Sequence, residues 1–232
     1  MISRRTFNAM AAAGVVSAMT SQFGKAEDVT KAPNVPKAKN VVLVHGLYAD
    51  GSSWLDVIEH LQDAGLNATA VQNPLRSLEE DSAATRRILA LQDGPTVLVG
   101  HSFAGTIISE TGDDPLVSAL VYVAARAPDA GEDFGALAAK FPKPPASAGV
   151  VKVDGYFWLS EEAFLKDFAN DLPPARARAL YAVQGRGADA LVTGKTTKAA
   201  WRVKPVFYQV STKYRRRIAR SIRSSSDFWP SE

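Results

Sequence analysis

The chain of 232 residues has 46% hydrophobic and 22% charged side chains, which predicts one globular domain with a full core and excludes global disorder. It has no cysteine and only three histidines, so the sequence excludes disulfides and thiolate chemistry and argues against a dedicated metal site. The net charge is +3, but the acid-free segment 213–223 alone carries six positive charges. The rest of the chain is therefore net negative, and we expect no nucleic-acid partner.

The N-terminus predicts an export signal over residues 1–26. Ser3-Arg4-Arg5-Thr6-Phe7 resembles the twin-arginine signature, and a weakly apolar stretch from Ala9 to Met19 follows it. That stretch is too short for a membrane anchor, and Gly24-Lys25-Ala26 offers the small residues that a signal peptidase reads. The alternative is an amphipathic first helix of the fold. We expect a periplasmic or secreted protein, with residues 27–39 as a linker.

From Asn40 onward, strand and helix patterns alternate. Apolar runs typical of buried parallel strands occupy residues 41–44, 68–71, 96–99, 117–123 and 205–211. A first helix is predicted from Ser52 or Ser53 through about Ala64, and its apolar side carries Trp54, Leu55, Ile58 and Leu61. A second is predicted from Glu79 to Leu91, and its apolar side carries Ile88, Leu89 and Leu91. A third is predicted around Thr106. The pattern predicts an α/β domain over residues 40–211, with a mostly parallel sheet and helices on both faces.

A long segment from about 130 to 198 breaks this alternation. It holds five prolines, at positions 142, 144, 145, 173 and 174, and short helical patterns at 161–169 and 175–183. An insertion of that size between two sheet strands is typical of a lid, so we predict a helical lid over the active site.

Ser102 is the candidate nucleophile. It lies at a strand-to-helix junction in Gly100-His101-Ser102-Phe103-Ala104-Gly105, where a tight turn lifts the hydroxyl clear of the sheet edge. Ala104 replaces the last glycine of the usual G-x-S-x-G. We expect the backbone amides of Phe103 and of Leu47, which follows His45-Gly46, to hold an oxyanion. The alternative is that Ser102 only caps a helix.

Three stretches carry a resemblance to a family: Val41-Val42-Leu43-Val44-His45-Gly46 with Gly51-Ser52-Ser53-Trp54, then Val99 to Gly105, then Val121-Tyr122-Val123-Ala124-Ala125 with Ala127-Pro128-Asp129-Ala130-Gly131-Glu132. Residues 40–211 resemble the compact α/β-hydrolases related to plant methyl esterases and hydroxynitrile lyases. The resemblance implies a triad in the chain order Ser, Asp, His. It also implies a small-molecule substrate, hydrolysis of a carboxylic ester and no cofactor.

The histidine that this resemblance implies has no counterpart, because no histidine follows Ser102. His45 and His101 belong to their motifs and are expected to shape the backbone, and His60 is predicted at the surface of the first helix. The family segment D-R-x-x-x-P, which begins with the triad aspartate, is also absent, since Lys213-Tyr214-Arg215-Arg216-Arg217 stands after the last predicted strand. Asp129, after the preceding strand, is an alternative acid.

The basic tail, residues 212–232, differs in composition from everything before it, and we interpret it as the product of a shifted reading frame. Codons can be chosen for 216–232 whose alternative frame contains the missing D-R-x-x-x-P. A basic arm for anionic membranes or nucleic acid and a solvated disordered tail are the alternatives.

If the tail results from a frameshift, the α/β-hydrolase domain is truncated at its C-terminal end. The last strand and helix are then missing, stability is poor, and hydrolysis is slowed by several powers of ten. Two other functions are a non-catalytic protein that binds a small ligand on a degenerate hydrolase fold, and a lyase or cofactor-free oxidoreductase on the same fold. The sequence does not predict an oligomeric state.

Overall fold

The computed structural model describes residues 38–211 of the chain. The predicted export signal (1–26), most of the linker and the basic tail (212–232) lie outside the described residues. The strands are β1 Asn40–Val44, β2 Asn67–Ala70, β3 Thr96–His101, β4 Val117–Val123, β5 Val150–Val153, β6 Tyr156–Leu159, β7 Gly187–Ala188 and β8 Val206–Gln209. The helices are α1 Leu55–Asp63, α2 Leu78–Leu89, α3 Ala104–Thr111, α4 Phe134–Ala139, α5 Glu161–Ala163, α6 Pro174–Ala182 and α7 Asp189–Thr193.

The main sheet has five parallel strands in the order β2-β1-β3-β4-β8, which confirms the predicted α/β fold. All five residues of β1 are buried, as expected for a strand with both faces covered. Val41 and Leu43 pack with Trp54 and Ile58 on one face. Val42 and Val44 belong to a larger cluster on the other face, which includes Leu89, Ile107 and Ile108.

The parallel arrangement brings the carboxyl ends of β1, β3 and β4 to one edge of the sheet. Loops at this edge carry the predicted site residues, because ligand sites in open parallel sheets form beyond the carboxyl ends of the strands. β8 lies at the outer edge beside β4, and Phe207, Tyr208 and Val210 are exposed there.

The first two helices differ from the predictions in their details. Asp50, and not Ser52 or Ser53, provides the side-chain cap, and it caps the 3₁₀ turn before α1 and not α1 itself: its carboxylate accepts a hydrogen bond from the Ser52 amide at 2.9 Å. A 3₁₀ turn, Gly51–Trp54, precedes α1 and changes its phase, so Leu55 is 52% exposed and its predicted apolar contact was wrong. Leu91, beyond the end of α2, is 77% exposed, so the same prediction was wrong there.

The insertion between β4 and β8 contains helices and also a small sheet that the sequence analysis missed. Antiparallel β5, β6 and β7 form it, and Asp154-Gly155, both at positive φ, connects the first two. The predicted helix at 161–169 is α5 followed by a π-helical turn, Phe164–Phe168. A separate apolar cluster built around Leu159 and Phe164 holds the insertion together. Within residues 38–211, no helix is long and apolar enough to cross a membrane.

Candidate active site

Ser102 lies in a left-handed backbone conformation, with φ of 54°, between β3 and α3. Non-glycine residues adopt this conformation at a cost of about 1–3 kcal/mol, and such positions concentrate at functional sites. Two hydrogen bonds hold the turn: the Ser102 amide donates to the Val123 carbonyl at 3.1 Å, and the Gly105 amide donates to the Ser102 carbonyl at 3.2 Å. Ser102 is partly exposed, whereas every residue of α3 behind it is buried.

The loop after β1 packs directly against this turn. A Cβ atom built on Gly46 would lie 2.9 Å from the His101 carbonyl oxygen and 3.0 Å from the Ser102 Cβ. Only glycine therefore allows this approach without a shift of the backbone. As a result, Leu47 stands in the turn that contacts Ser102, where the sequence predicts one of the two oxyanion amides.

The second close approach in the motif involves Gly105. Ala104 is fully buried, so its methyl group is accommodated in the usual glycine position. A Cβ on Gly105, however, would lie 2.0 Å from the Arg126 carbonyl oxygen. A Cβ on Gly100 would likewise lie 2.8 Å from the Ala104 carbonyl oxygen. The close packing at this junction therefore depends on Gly105 and Gly100.

Phe103, the other predicted oxyanion donor, precedes α3 and its side chain is fully buried. Its ring packs edge-to-face on Phe134 of the insertion, with 5.1 Å between the ring centroids. Tyr48, next to Leu47, contacts Phe157 and Phe168 in the same geometry, at 5.9 and 6.0 Å. The insertion therefore contacts one predicted donor, Phe103, and the residue next to the other, Tyr48.

His45 has a structural role in this arrangement. Its Nε2 accepts a hydrogen bond from the Asn73 amide at 3.1 Å, so the proton sits on Nδ1, which donates to the Gly46 carbonyl at 3.0 Å. Burial lowers the pKa of His45 and favours this neutral form. With both ring nitrogens occupied, the imidazole is not available to take the Ser102 proton.

The other two histidines occupy different surroundings. His101 is largely buried and packs edge-to-face on Trp54, with 6.3 Å between the ring centroids. Burial is the main cause that lowers the pKa of His101, and the proximity of the His45 ring, which disfavours a second positive charge, is the smaller one. His60 is exposed on α1, as predicted.

The Asp129 carboxylate forms an ion pair with Arg202. The Arg202 Nε donates to Oδ1 at 2.7 Å, and its Nη2 donates to Oδ2. The hydrogen bond from Arg202 lowers the pKa of Asp129. No hydrogen bond joins Asp129 to any of the three histidines, all of which lie in the described part of the chain. A role for Asp129 as the triad acid therefore stays a prediction.

Two residues near the site were missed by the sequence analysis. Asn73 binds His45 through its amide and also donates its side-chain Nδ2 to the His45 carbonyl at 3.2 Å. No local pattern marks it, since this contact spans 28 positions. The backbone of Arg126 packs against Gly105. The available sequence signal for Arg126 was a single charged residue within the otherwise small, apolar stretch Ala124-Ala125-Arg126-Ala127.

Comparisons with known proteins show the family of the chain and solved structures with a similar fold. A family model described as the alpha/beta hydrolase family matches residues 41–228. The fold is similar to a histidine-to-alanine variant of tomato methylketone synthase I complexed with β-ketoheptanoate (TM-score 0.67, 15% identity, 84% of this chain and 87% of that chain). It is also similar to polyneuridine aldehyde esterase, with a TM-score of 0.61, 18% identity, and coverage of 74% of this chain and 80% of that chain. A pyrethroid hydrolase from Sphingobium faniae JZ-2 is similar with a TM-score of 0.58, 18% identity, and coverage of 82% of this chain and 98% of that chain. No curated protein matches the chain by sequence.

Proposed function

Because the chain belongs to the α/β-hydrolase family, we propose that it is an esterase in which Ser102 attacks a small-molecule carboxylic ester. The observation that carries this proposal is the left-handed conformation of Ser102 at the junction of the central strand β3 with α3. A plain helix cap does not need this strained backbone, whereas a nucleophile that must stand clear of the sheet does.

The chemistry follows from the position of the hydroxyl. Ser102 Oγ bonds to the acyl carbon and loses its proton, the alcohol leaves with a proton, and water then hydrolyses the acyl-serine to release the acid. The amides of Phe103 and Leu47 hold the negative oxygen of each tetrahedral intermediate. These donors are backbone groups fixed by α3 and by the contact at Gly46, so they need little reorganisation during the reaction.

We further propose that the 232-residue chain hydrolyses esters slowly. No histidine follows Ser102, and the ring of His45 is committed to Gly46 and Asn73. A serine hydroxyl without an imidazole base is a poor nucleophile. Loss of the base typically lowers the rate by several powers of ten. The oxyanion donors would still support a slow reaction of Ser102 with an activated ester.

The solved structures similar to this chain support an ester as the substrate class, since one is named an esterase and another a pyrethroid hydrolase. Their identity to this chain is 18%, so the family supports the reaction type and the individual substrates do not carry over.

Covalent labelling tests the nucleophile without requiring turnover. Purified chain is incubated for hours with a p-nitrophenyl phosphonate, and the modified peptide is identified by mass. We expect a single adduct on Ser102, none in Ser102→Ala, and full labelling in Ser53→Ala, which alters an exposed serine on the 3₁₀ turn. Equal labelling of wild type and Ser102→Ala would refute the proposal. A chain that binds esters without any labelling would instead be a ligand-binding protein.

We also propose export by the twin-arginine route, which the Ser3-Arg4-Arg5-Thr6-Phe7 motif supports. Replacement of both Arg4 and Arg5 by lysine is expected to keep the chain in the cytoplasm of a bacterial host. Equal export of this variant and of wild type would contradict the proposal.

A further inference from the structure

The backbone of Arg126 lies near the turn that carries the proposed nucleophile. It follows β4 by three residues, and the last residue of that strand, Val123, accepts a hydrogen bond from the Ser102 amide. Three residues of chain span at most about 10 Å, so the Cα atom of Arg126 is within that distance of Val123. The carbonyl group of Arg126 also packs closely against Gly105, which is three residues after Ser102.

Two aromatic rings hold the Arg126 guanidinium. Its Cζ lies 4.8 Å from the Phe134 ring centroid and 5.6 Å from that of Phe141. Phe134 in turn packs on Phe103, which directly follows Ser102. This chain of contacts links the guanidinium to the turn that carries Ser102 and gives it apolar neighbours.

The guanidinium has no anionic partner among the described residues. Other arginines pair with carboxylates: Arg86 with Glu110, Arg176 with Asp56 and Arg202 with Asp129. Arg126 forms no ion pair or side-chain hydrogen bond within residues 38–211, although it is partly buried. Burial lowers the pKa of Arg126, and the nearby Tyr208, whose hydroxyl donates to the Ala125 carbonyl, partly offsets this effect. None of its side-chain nitrogens is among the described atoms that are both fully buried and unpaired.

We infer that Arg126 binds a carboxylate of the substrate beside Ser102. A guanidinium presents a planar fork of N–H donors that matches both oxygens of a carboxylate, and the phenyl rings leave those donors without an acceptor. The apolar walls suit the carbon chain next to the charged group. The substrate class is therefore an ester that carries a free carboxylate, such as a monoester of a dicarboxylic acid.

This inference rests on the proposed function, because it takes Ser102 as the reacting centre. Binding can be measured without turnover, so the two are tested separately. Carboxylate binding without labelling of Ser102 would overturn the proposed function alone. Labelling of Ser102 without carboxylate binding would overturn this inference alone.

The experiment compares phenylacetate with phenylacetamide, its neutral analogue, by isothermal titration calorimetry on the full chain. We expect Arg126→Met to weaken phenylacetate binding about tenfold or more, since a hydrogen-bonded ion pair is lost, and to leave phenylacetamide unaffected. Arg186→Met is the matched control. Arg186 also stacks on an aromatic ring, 4.7 Å from Trp158, but it is exposed on the small sheet and should not affect binding.

A second measurement avoids any folding defect of the variant. Wild-type chain is treated with phenylglyoxal, which modifies arginines, with and without phenylacetate, and the modified peptides are quantified by mass. We expect phenylacetate to protect Arg126 and not Arg186. Equal modification of Arg126 in both samples, or equal affinity of wild type and Arg126→Met for phenylacetate, would overturn the inference.

Discussion

The Nε2 atom of His45 accepts a hydrogen bond from the backbone amide of Asn73, 28 positions away in the chain, at 3.1 Å. This bond fixes the end of β1 to the loop that follows β2. Since Gly46 contacts the turn at Ser102, the orientation of the predicted oxyanion loop depends on a buried, neutral imidazole.

Replacing His45 should therefore destabilise the fold. We expect His45→Ala to lower the free energy of unfolding by about 1–3 kcal/mol, because the Asn73 amide and the Gly46 carbonyl both lose their partner. Urea unfolding measures this difference. His60→Ala, on the exposed side of α1, serves as the control and should change stability by less than about 0.5 kcal/mol. Equal effects of both substitutions would show that the His45 bonds are unimportant.

Asp81 should make stability decrease as the pH rises. Its Oδ1 accepts a hydrogen bond from the Leu75 amide at 2.8 Å, while its Oδ2 is buried and has no partner among the described residues. Burial raises the pKa of Asp81 to about 7, from 3.8. The folded chain thus binds more protons than the unfolded chain between these values, so the contribution of Asp81 to stability is lost as the pH rises towards 7.

Asp81→Asn removes this titration and should be more stable than wild type at pH 8, by about 1–3 kcal/mol, with little gain at pH 3.5, which is below both pKa values of the wild-type carboxyl. Urea unfolding at both pH values gives the comparison. Glu79→Gln, at an exposed position on the same turn of α2, should keep the wild-type dependence on pH. A constant difference between Asp81→Asn and wild type across this range would contradict the prediction.

Gly105 should tolerate no side chain. In Gly105→Ala the new Cβ would lie 2.0 Å from a backbone carbonyl oxygen, so α3 or the segment after β4 must move. We expect a loss of about 1–3 kcal/mol or more of stability, and loss of Ser102 labelling, since the turn would be distorted. At Gly94 the nearest atoms to a built Cβ are 3.5 Å away, so Gly94→Ala is a matched control with little effect. Thermal unfolding distinguishes the two.

Free imidazole should accelerate the reaction of Ser102 if the chain lacks only a base. We expect the rate of phosphonate labelling to rise with imidazole concentration at pH 7.5 and to remain at background in Ser102→Ala. N-methylpyrrolidine, a much stronger base that is protonated at this pH, controls for a general salt or cosolvent effect. A rate independent of imidazole would indicate that a missing base does not limit Ser102.

The sequence predicted the features that depend on local patterns. The sheet strands and the turn at Ser102 followed from continuous apolar runs and from a motif at one strand-to-helix junction, and β4 matched its predicted bounds, Val117–Val123. The prediction that Leu55 packs on the apolar side of the helix was wrong, because a 3₁₀ turn changed the phase of the helix. A periodic pattern does not reveal such a turn. The hairpin of β5 and β6 was missed even though Asp154-Gly155 is a typical two-residue turn signal.

The site was predictable only in part, for a similar reason. Ser102, Gly46 and Gly105 belong to contiguous motifs, so their positions could be read from the chain. The partner of His45 and the unpaired guanidinium of Arg126 depend on contacts between segments far apart in sequence. A single sequence carries no direct signal of such pairs.

Tyr48 limits how freely this chain could exchange its insertion with those of relatives during evolution. Its ring stands on the loop after β1, yet its neighbours Phe157 and Phe168 come from the insertion. In a chain with a different insertion, the aromatic ring at position 48, one residue from Leu47, would lose these contacts unless position 48 changed as well. The two segments are therefore expected to diverge together rather than as separate modules.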